Sequence, residues 1–143
     1  MIDIIIVTKA DRGISKETLF SLVKYAQKER VILNTGLGVD WMAGERITDF
    51  RLAEAKKVTA EWVYFLDDDD ELLCSLPNVS LLDDYDYILG PLVDKGRLRS
   101  LEKCSSYRVF GFHMILAKKE VAIATEFLNA SVTITHEGMQ LYI

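Results

Sequence analysis

The sequence predicts an α/β fold: an open, mixed but mostly parallel sheet flanked by helices, in a single domain spanning residues 1–143. Two observations carry this. Three short apolar runs, at residues 4–7, 30–34 and 62–66, alternate with two stretches whose apolar residues recur at helical spacing. Four consecutive aspartates, Asp67, Asp68, Asp69 and Asp70, follow the third run directly, at the strand end where an open α/β sheet takes its ligand.

Ile4-Ile5-Ile6-Val7 is apolar on both faces, as a strand between two helical layers must be. Ser15 then caps a helix, with Glu17 in its first turn and Leu19, Leu22, Val23 and Ala26 as its apolar stripe. Strand character returns at residues 30–34. After a glycine-bearing loop over residues 36–44, a second helix is predicted from Thr48 or Asp49 to Ala60, with Leu52, Ala55 and Val58 toward the sheet. Trp62-Val63-Tyr64-Phe65-Leu66 reads as an interior strand because both its faces are apolar. Further along, Tyr87-Ile88-Leu89 reads as a strand and residues 97–108 as a polar loop or broken helix. Residues 109–117 read as strand, 119–128 as helix, and 131–135 with 139–143 as a hairpin that makes the sheet mixed.

Composition narrows the partners. Seventeen Lys and Arg against twenty-two Asp and Glu give a net charge of −5, which argues against nucleic acid and anionic membranes as partners. An anionic ligand would need a metal or local basic groups beside it. No apolar run approaches the ~20 residues of a transmembrane helix. Cys74 and Cys104 lack metal-ligand spacing and no signal-peptide pattern opens the chain, so a reducing, cytoplasmic setting is expected.

The aspartate run admits two readings. Adjacent carboxylates repel by roughly 1 to 4 kcal/mol per close pair, and a hard, oxygen-loving dication such as Mg²⁺ or Mn²⁺ relieves that repulsion. If the chain stays extended, Asp67 and Asp69 share a face and can reach one ion. Alternatively the run is a solvated turn in which Asp70 caps a short helix through Glu71, Leu72 and Leu73.

The stretch from Arg51 through Glu61-Trp62-Val63-Tyr64-Phe65-Leu66 to Asp67-Asp68-Asp69-Asp70 resembles GT-A glycosyltransferases. There an Arg-Asn helix leads through a Gly-Glu-Tyr turn into a strand ending in Asp-x-Asp-Asp, the DXD motif. The resemblance implies a GT-A-type sheet and a metal-dependent transfer, of inverting type, from a nucleotide-diphosphate sugar donor to an acceptor hydroxyl. It implies Mn²⁺ or Mg²⁺ on Asp67 and Asp69, and nucleotide contacts from Asp67, Asp68 and Arg51. Weaker similarity extends to residues 4–8, the opening strand whose end at Thr8 cradles the nucleoside, to residues 85–90 and to residues 110–119. The sequence departs from the family at Leu52, where Asn is usual, at Glu54 and Ala60, where glycines are usual, and at Asn34-Thr35-Gly36, which replaces an Asp-Gly-Ser-like turn. Asn34 becomes the nucleotide-side residue there.

By position, Glu126 is the candidate general base that takes the proton of the attacking hydroxyl, although a helix-face glutamate is the alternative. His136 stands near where some members supply a third metal ligand, or else sits in a hairpin turn. His113, between Phe112 and Met114, reads as a sheet-face histidine. Lys118, Lys119, Arg97 and Arg99 read as solvated charges, with diphosphate contact or a lid as their functional alternative. Gly36-Leu37-Gly38 lacks the dinucleotide spacing, and Lys9-Ala10-Asp11-Arg12-Gly13 is a poor match to the glycine-rich loop of nucleotidyltransferases. The rival functional reading is a non-catalytic nucleotide- or metal-binding module with a GT-A-like core.

Overall fold

The computed structural model describes residues 1–9, 11–36, 47–89, 92–94, 97–99 and 115–124. Their order is β1 (Ile2–Val7), α1 (Lys16–Tyr25), β2 (Arg30–Asn34), α2 (Ile47–Lys57), β3 (Trp62–Phe65), a 3₁₀ turn (Val79–Leu81), β4 (Tyr87–Leu89), β5 (Leu92–Asp94), β6 (Arg97–Arg99), β7 (Ile115–Lys118) and α3 (Lys119–Ala124). Glu126, His113, His136 and the expected C-terminal hairpin lie outside the described residues.

Five strands form one sheet in the order β2-β1-β3-β7-β4. β1 pairs in parallel with β2 and β3. β7 is antiparallel to both β3 and β4, so β4 runs in the direction of the first three strands. The result is an α/β sheet that is mixed, as expected, but not mostly parallel by pairing: two of its pairings are parallel and two antiparallel, because β7 enters between β3 and β4, and β3 lies in the interior. Among the described residues no helix is long and apolar enough to cross a membrane.

The period-2 alternation of β1 and β3 divides the core between two faces. Ile5, Val7, Val63 and Phe65 pack against Leu52, Ala55 and Val58 of the α2 region and Ala122 of α3. On the other face Ile4, Ile6 and Leu66 meet Leu22 and Ala26 beside Leu72, while Ile2, Trp62 and Leu116 meet Leu82. The apolar runs thus lie between layers, as their composition requires.

Three further expectations are corrected. The buried face of α1 is Thr18, Ser21 and Leu22, continued by Ala26, and not a wholly apolar stripe. Leu19 is 46% and Val23 74% exposed. The cause is what α1 packs against: a loop whose backbone needs hydroxyl partners, supplied by Thr18 and Ser21. Secondly, Arg97–Arg99 is a strand paired with Leu92–Asp94 in a separate two-stranded sheet, with Asp94 opposite Arg97. Thirdly, α2 begins at Ile47 and ends at Lys57, three residues before Ala60, and the chain then enters β3 with Val58 and Ala60 buried.

Candidate functional site

The aspartate run sits at the carboxyl end of β3, beside the ends of β1 and β2. Leu66 extends the strand by donating its N–H to the Ile5 carbonyl at 3.1 Å. The chain then turns: the Asp70 N–H donates to the Asp67 carbonyl at 3.3 Å. Neither sequence-based picture of the run holds in full. The residues are not extended, and no helix follows at residues 71–73. The turn itself gathers the carboxylates, so that one oxygen each from Asp67, Asp69 and Asp70 lies within 4.8 Å of the others. Three carboxylate oxygens at that spacing could hold a metal ion.

Asp68 points elsewhere. It is 8% exposed, and its Oδ2 accepts from the Thr8 hydroxyl at 2.6 Å. Its carbonyl accepts from the Ser15 N–H at 2.9 Å and from the Thr18 hydroxyl at 3.1 Å. The Thr18 hydroxyl also lies 2.6 Å from the Asp70 carbonyl, while the Ser21 Oγ accepts from the Leu72 N–H at 3.0 Å. These bonds clamp the turn between the end of β1 and the first turns of α1. Ser15 caps α1 as its residue type foretold, accepting from the Thr18 N–H.

Guanidinium groups complete the electrostatics. Arg51 of α2 is 1% exposed and pairs with Asp67. Arg12, in the loop after β1, has its Nη2 2.9 Å from Asp69 Oδ2 and 3.1 Å from Asp68 Oδ1. The Arg12–Asp69 pair is open to water on both sides, with 55% and 59% of the side chains exposed, so its contribution to stability is about 0 to 1 kcal/mol. Asn34, at the end of β2, donates to Glu54 at 2.9 Å and accepts from the Gly36 N–H at 2.8 Å. The structure therefore brings Thr8, Asp67, Asp68, Asp69 and Arg51 together at one sheet edge, with Asn34 beside Thr8 through a 2.9 Å backbone bond.

Sequence reasoning missed Arg12, Thr18 and Tyr64. Arg12 carried a signal, since the loop after the first strand of an open sheet always borders the ligand edge. Tyr64 sits on β3 with its phenol pushed up to about 12, first by burial and then by the charges of Asp70, Cys74 and Asp67. Its proton stays on in the folded chain after the unfolded chain has released it, so stability should fall as pH rises from 10 toward 12. The expected loss is about 2 to 3 kcal/mol. Denaturation of wild type and Tyr64→Phe across that interval checks this: equal slopes would show that Tyr64 is not the group responsible.

A cleft of about 370 Å³ opens at the other end of β3, lined by Glu61, Trp62, Asp83, Lys118, Lys119 and Glu120. Its lysines are engaged within the fold: Lys118 Nζ is 3.2 Å from Asp86 and Lys119 Nζ donates to the Val58 carbonyl at 2.6 Å. These lysines lie away from the acidic turn. Comparison with protein-family models, curated proteins and solved structures finds no match to this chain.

Proposed function

We propose that this chain is a metal-dependent glycosyltransferase domain of GT-A type, taking a nucleotide-diphosphate sugar as donor and a hydroxyl as acceptor. The observation that supports it is the grouping of Asp67, Asp69 and Asp70, one carboxylate oxygen of each within 4.8 Å of the others, at the carboxyl end of β3, the end at which open α/β sheets take ligands. The similarity of the segment from Arg51 to Asp70 to the DXD region adds the diphosphate.

In this reading Asp67 and Asp69 hold the ion, with Asp70 within reach, while Thr8 and Asn34 border the nucleoside end. A bound dication supplies positive charge to the departing diphosphate. Asp68, fixed by Thr8, keeps the turn in the shape that holds the metal donors together. The acceptor oxygen bonds to the anomeric carbon as the carbon–oxygen bond to the diphosphate breaks, and that electron pair leaves with the diphosphate. The hydroxyl proton passes to a carboxylate base, for which position in the chain makes Glu126 the candidate.

Thermal unfolding with nucleoside diphosphates and Mn²⁺ tests the reading. Wild type should rise by about 5 °C or more near hundredfold saturation, only when metal and nucleotide are both present. Asp69→Asn should fold normally and lose that metal-dependent rise. A wild type that ignores every nucleoside diphosphate with Mn²⁺, or a variant that shifts equally, would leave the aspartates as a structural turn.

A further inference from the structure

We propose that β2 is a docking edge for a second copy of this chain: the two β2 strands pair antiparallel about a twofold axis at Ile32 and join two five-stranded sheets into one. This pairing is independent of the metal-site reading.

β2 ends the sheet order, and among the described residues its sheet partner is β1. The Asn34 carbonyl accepts from the Thr8 N–H, so Asn34 directs its backbone groups toward β1, and by alternation Ile32 and Arg30 do the same. Val31 and Leu33 therefore direct their N–H and C=O groups outward. The same two residues carry exposed apolar side chains, at 39% and 47%, on the sheet face that Ile4 and Ile6 share with α1. α1 adds to this rim: Leu19 and Val23, both exposed, lie across the helix from Ser21, which is tied to the turn after β3 at Leu72. Edge strands are ordinarily guarded by brevity, lysine, proline or a bulge. The opposite rim is guarded in this way, since β4 has three residues and follows the exposed Asp83, Asp84 and Asp86. β2 has five, Arg30-Val31-Ile32-Leu33-Asn34, with neither lysine nor proline.

A second copy fits this edge in register. With Ile32 opposite its counterpart, Val31 of each copy meets Leu33 of the other, and each such pair exchanges two backbone hydrogen bonds. All the outward backbone groups of Val31 and Leu33 are then satisfied. On one face apolar side chains meet apolar ones. On the other the charges are complementary: the exposed Arg30 guanidinium, bonded to Asp3, comes opposite Asn34 of the second copy, whose amide is bonded to the Glu54 carboxylate. Arginine never faces arginine. The contact is small, because five strand residues span about 17 Å and a sheet with one helical layer is about 20 Å deep. Roughly 700 Å² is buried in all, short of the ~1,200 Å² of a standard interface. The dimer is therefore weak, with a Kd on the order of 100 µM.

Sedimentation equilibrium of the full chain, at concentrations on both sides of that Kd, should show monomer giving way to dimer. Leu33→Lys and Val31→Lys, each of which puts a charge on the open edge, should weaken association by about tenfold or more. Leu81→Lys, at an exposed leucine outside β2, should associate as wild type does. Amide exchange separates strand pairing from a loose apolar contact: the Val31 and Leu33 N–H groups should exchange more slowly in the dimer, while that of Ile32, which faces β1, should not change. This wild-type measurement decides the matter should the lysine variants fail to fold. A wild type that stays monomeric at the highest concentration overturns the proposal and leaves the edge to an extended strand of a different chain. A dimer that persists in both lysine variants, or whose Val31 and Leu33 amides exchange as in the monomer, also overturns it, because the copies then meet elsewhere.

Discussion

Asp67→Asn should lower folding stability by about 3 kcal/mol, whereas Asp69→Asn, two residues away, should stay within about 0.5 kcal/mol of wild type. The difference comes from their partners. Asp67 pairs with Arg51, whose side chain is only 2% exposed, so neutralising Asp67 takes an anion from a guanidinium held out of water. Asp69 pairs with Arg12, and both are largely solvated. Removing its charge also eases repulsion within the run, which offsets the lost pair. Urea denaturation of both variants without metal makes the comparison. Equal losses would mean that the Arg51–Asp67 pair does not help hold α2 against the end of β3.

Phe65→Ala should cost about 4 kcal/mol, as deletion of a fully enclosed aromatic ring does. Phe65 is 0% exposed, as are Ile5, Ala55 and Val63 in the same cluster. Its neighbours come from β1, the α2 region, β7 and α3, so no single element can move to fill the space. Phe20, 71% exposed, supplies the control: Phe20→Ala should change stability by less than about 0.5 kcal/mol. A small loss at Phe65 would mean that the layer of α2 and α3 collapses readily onto the sheet, contrary to the packing described here.

Strands with apolar residues on both faces were legible because only an interior position satisfies such a pattern, and β1 and β3 occupy such positions. The α1 side was less legible. Its pattern of Leu19, Leu22, Val23 and Ala26 met the helical rule, but Thr18 and Ser21 are drawn inward by the carbonyl and N–H groups of a turn fifty residues later in the chain. No local window holds both parties. The antiparallel pair of β5 and β6 did carry a local signal in Leu92-Val93-Asp94 and Arg97-Leu98-Arg99, but the charges there obscured the strand alternation. At the acidic run, the sequence offered an extended strand end or a helix cap, and the structure shows a turn instead. Whether oxygens converge depends on the turn between Asp67 and Asp70, and that turn is set by Thr8, Ser15 and Thr18 through bonds that residue spacing does not encode.

The position of β7 has a consequence for the order in which the chain can assemble. β3 and β4 run side by side with a gap between them one strand wide, and the strand that fills it, Ile115–Lys118, comes last of the sheet's five in sequence. During synthesis β1, β2 and β3 can join through nearby contacts, but β3 then presents an unsatisfied backbone edge until residue 118 has emerged. Closing the sheet is a non-local event, slow to reach by chain diffusion, and β4 depends on it too, because among the described residues its sheet partner is β7. Until that moment the nascent chain exposes the row of backbone groups through which partly made sheets join their neighbours, so the interval before β7 arrives is when this protein is most exposed to misassembly.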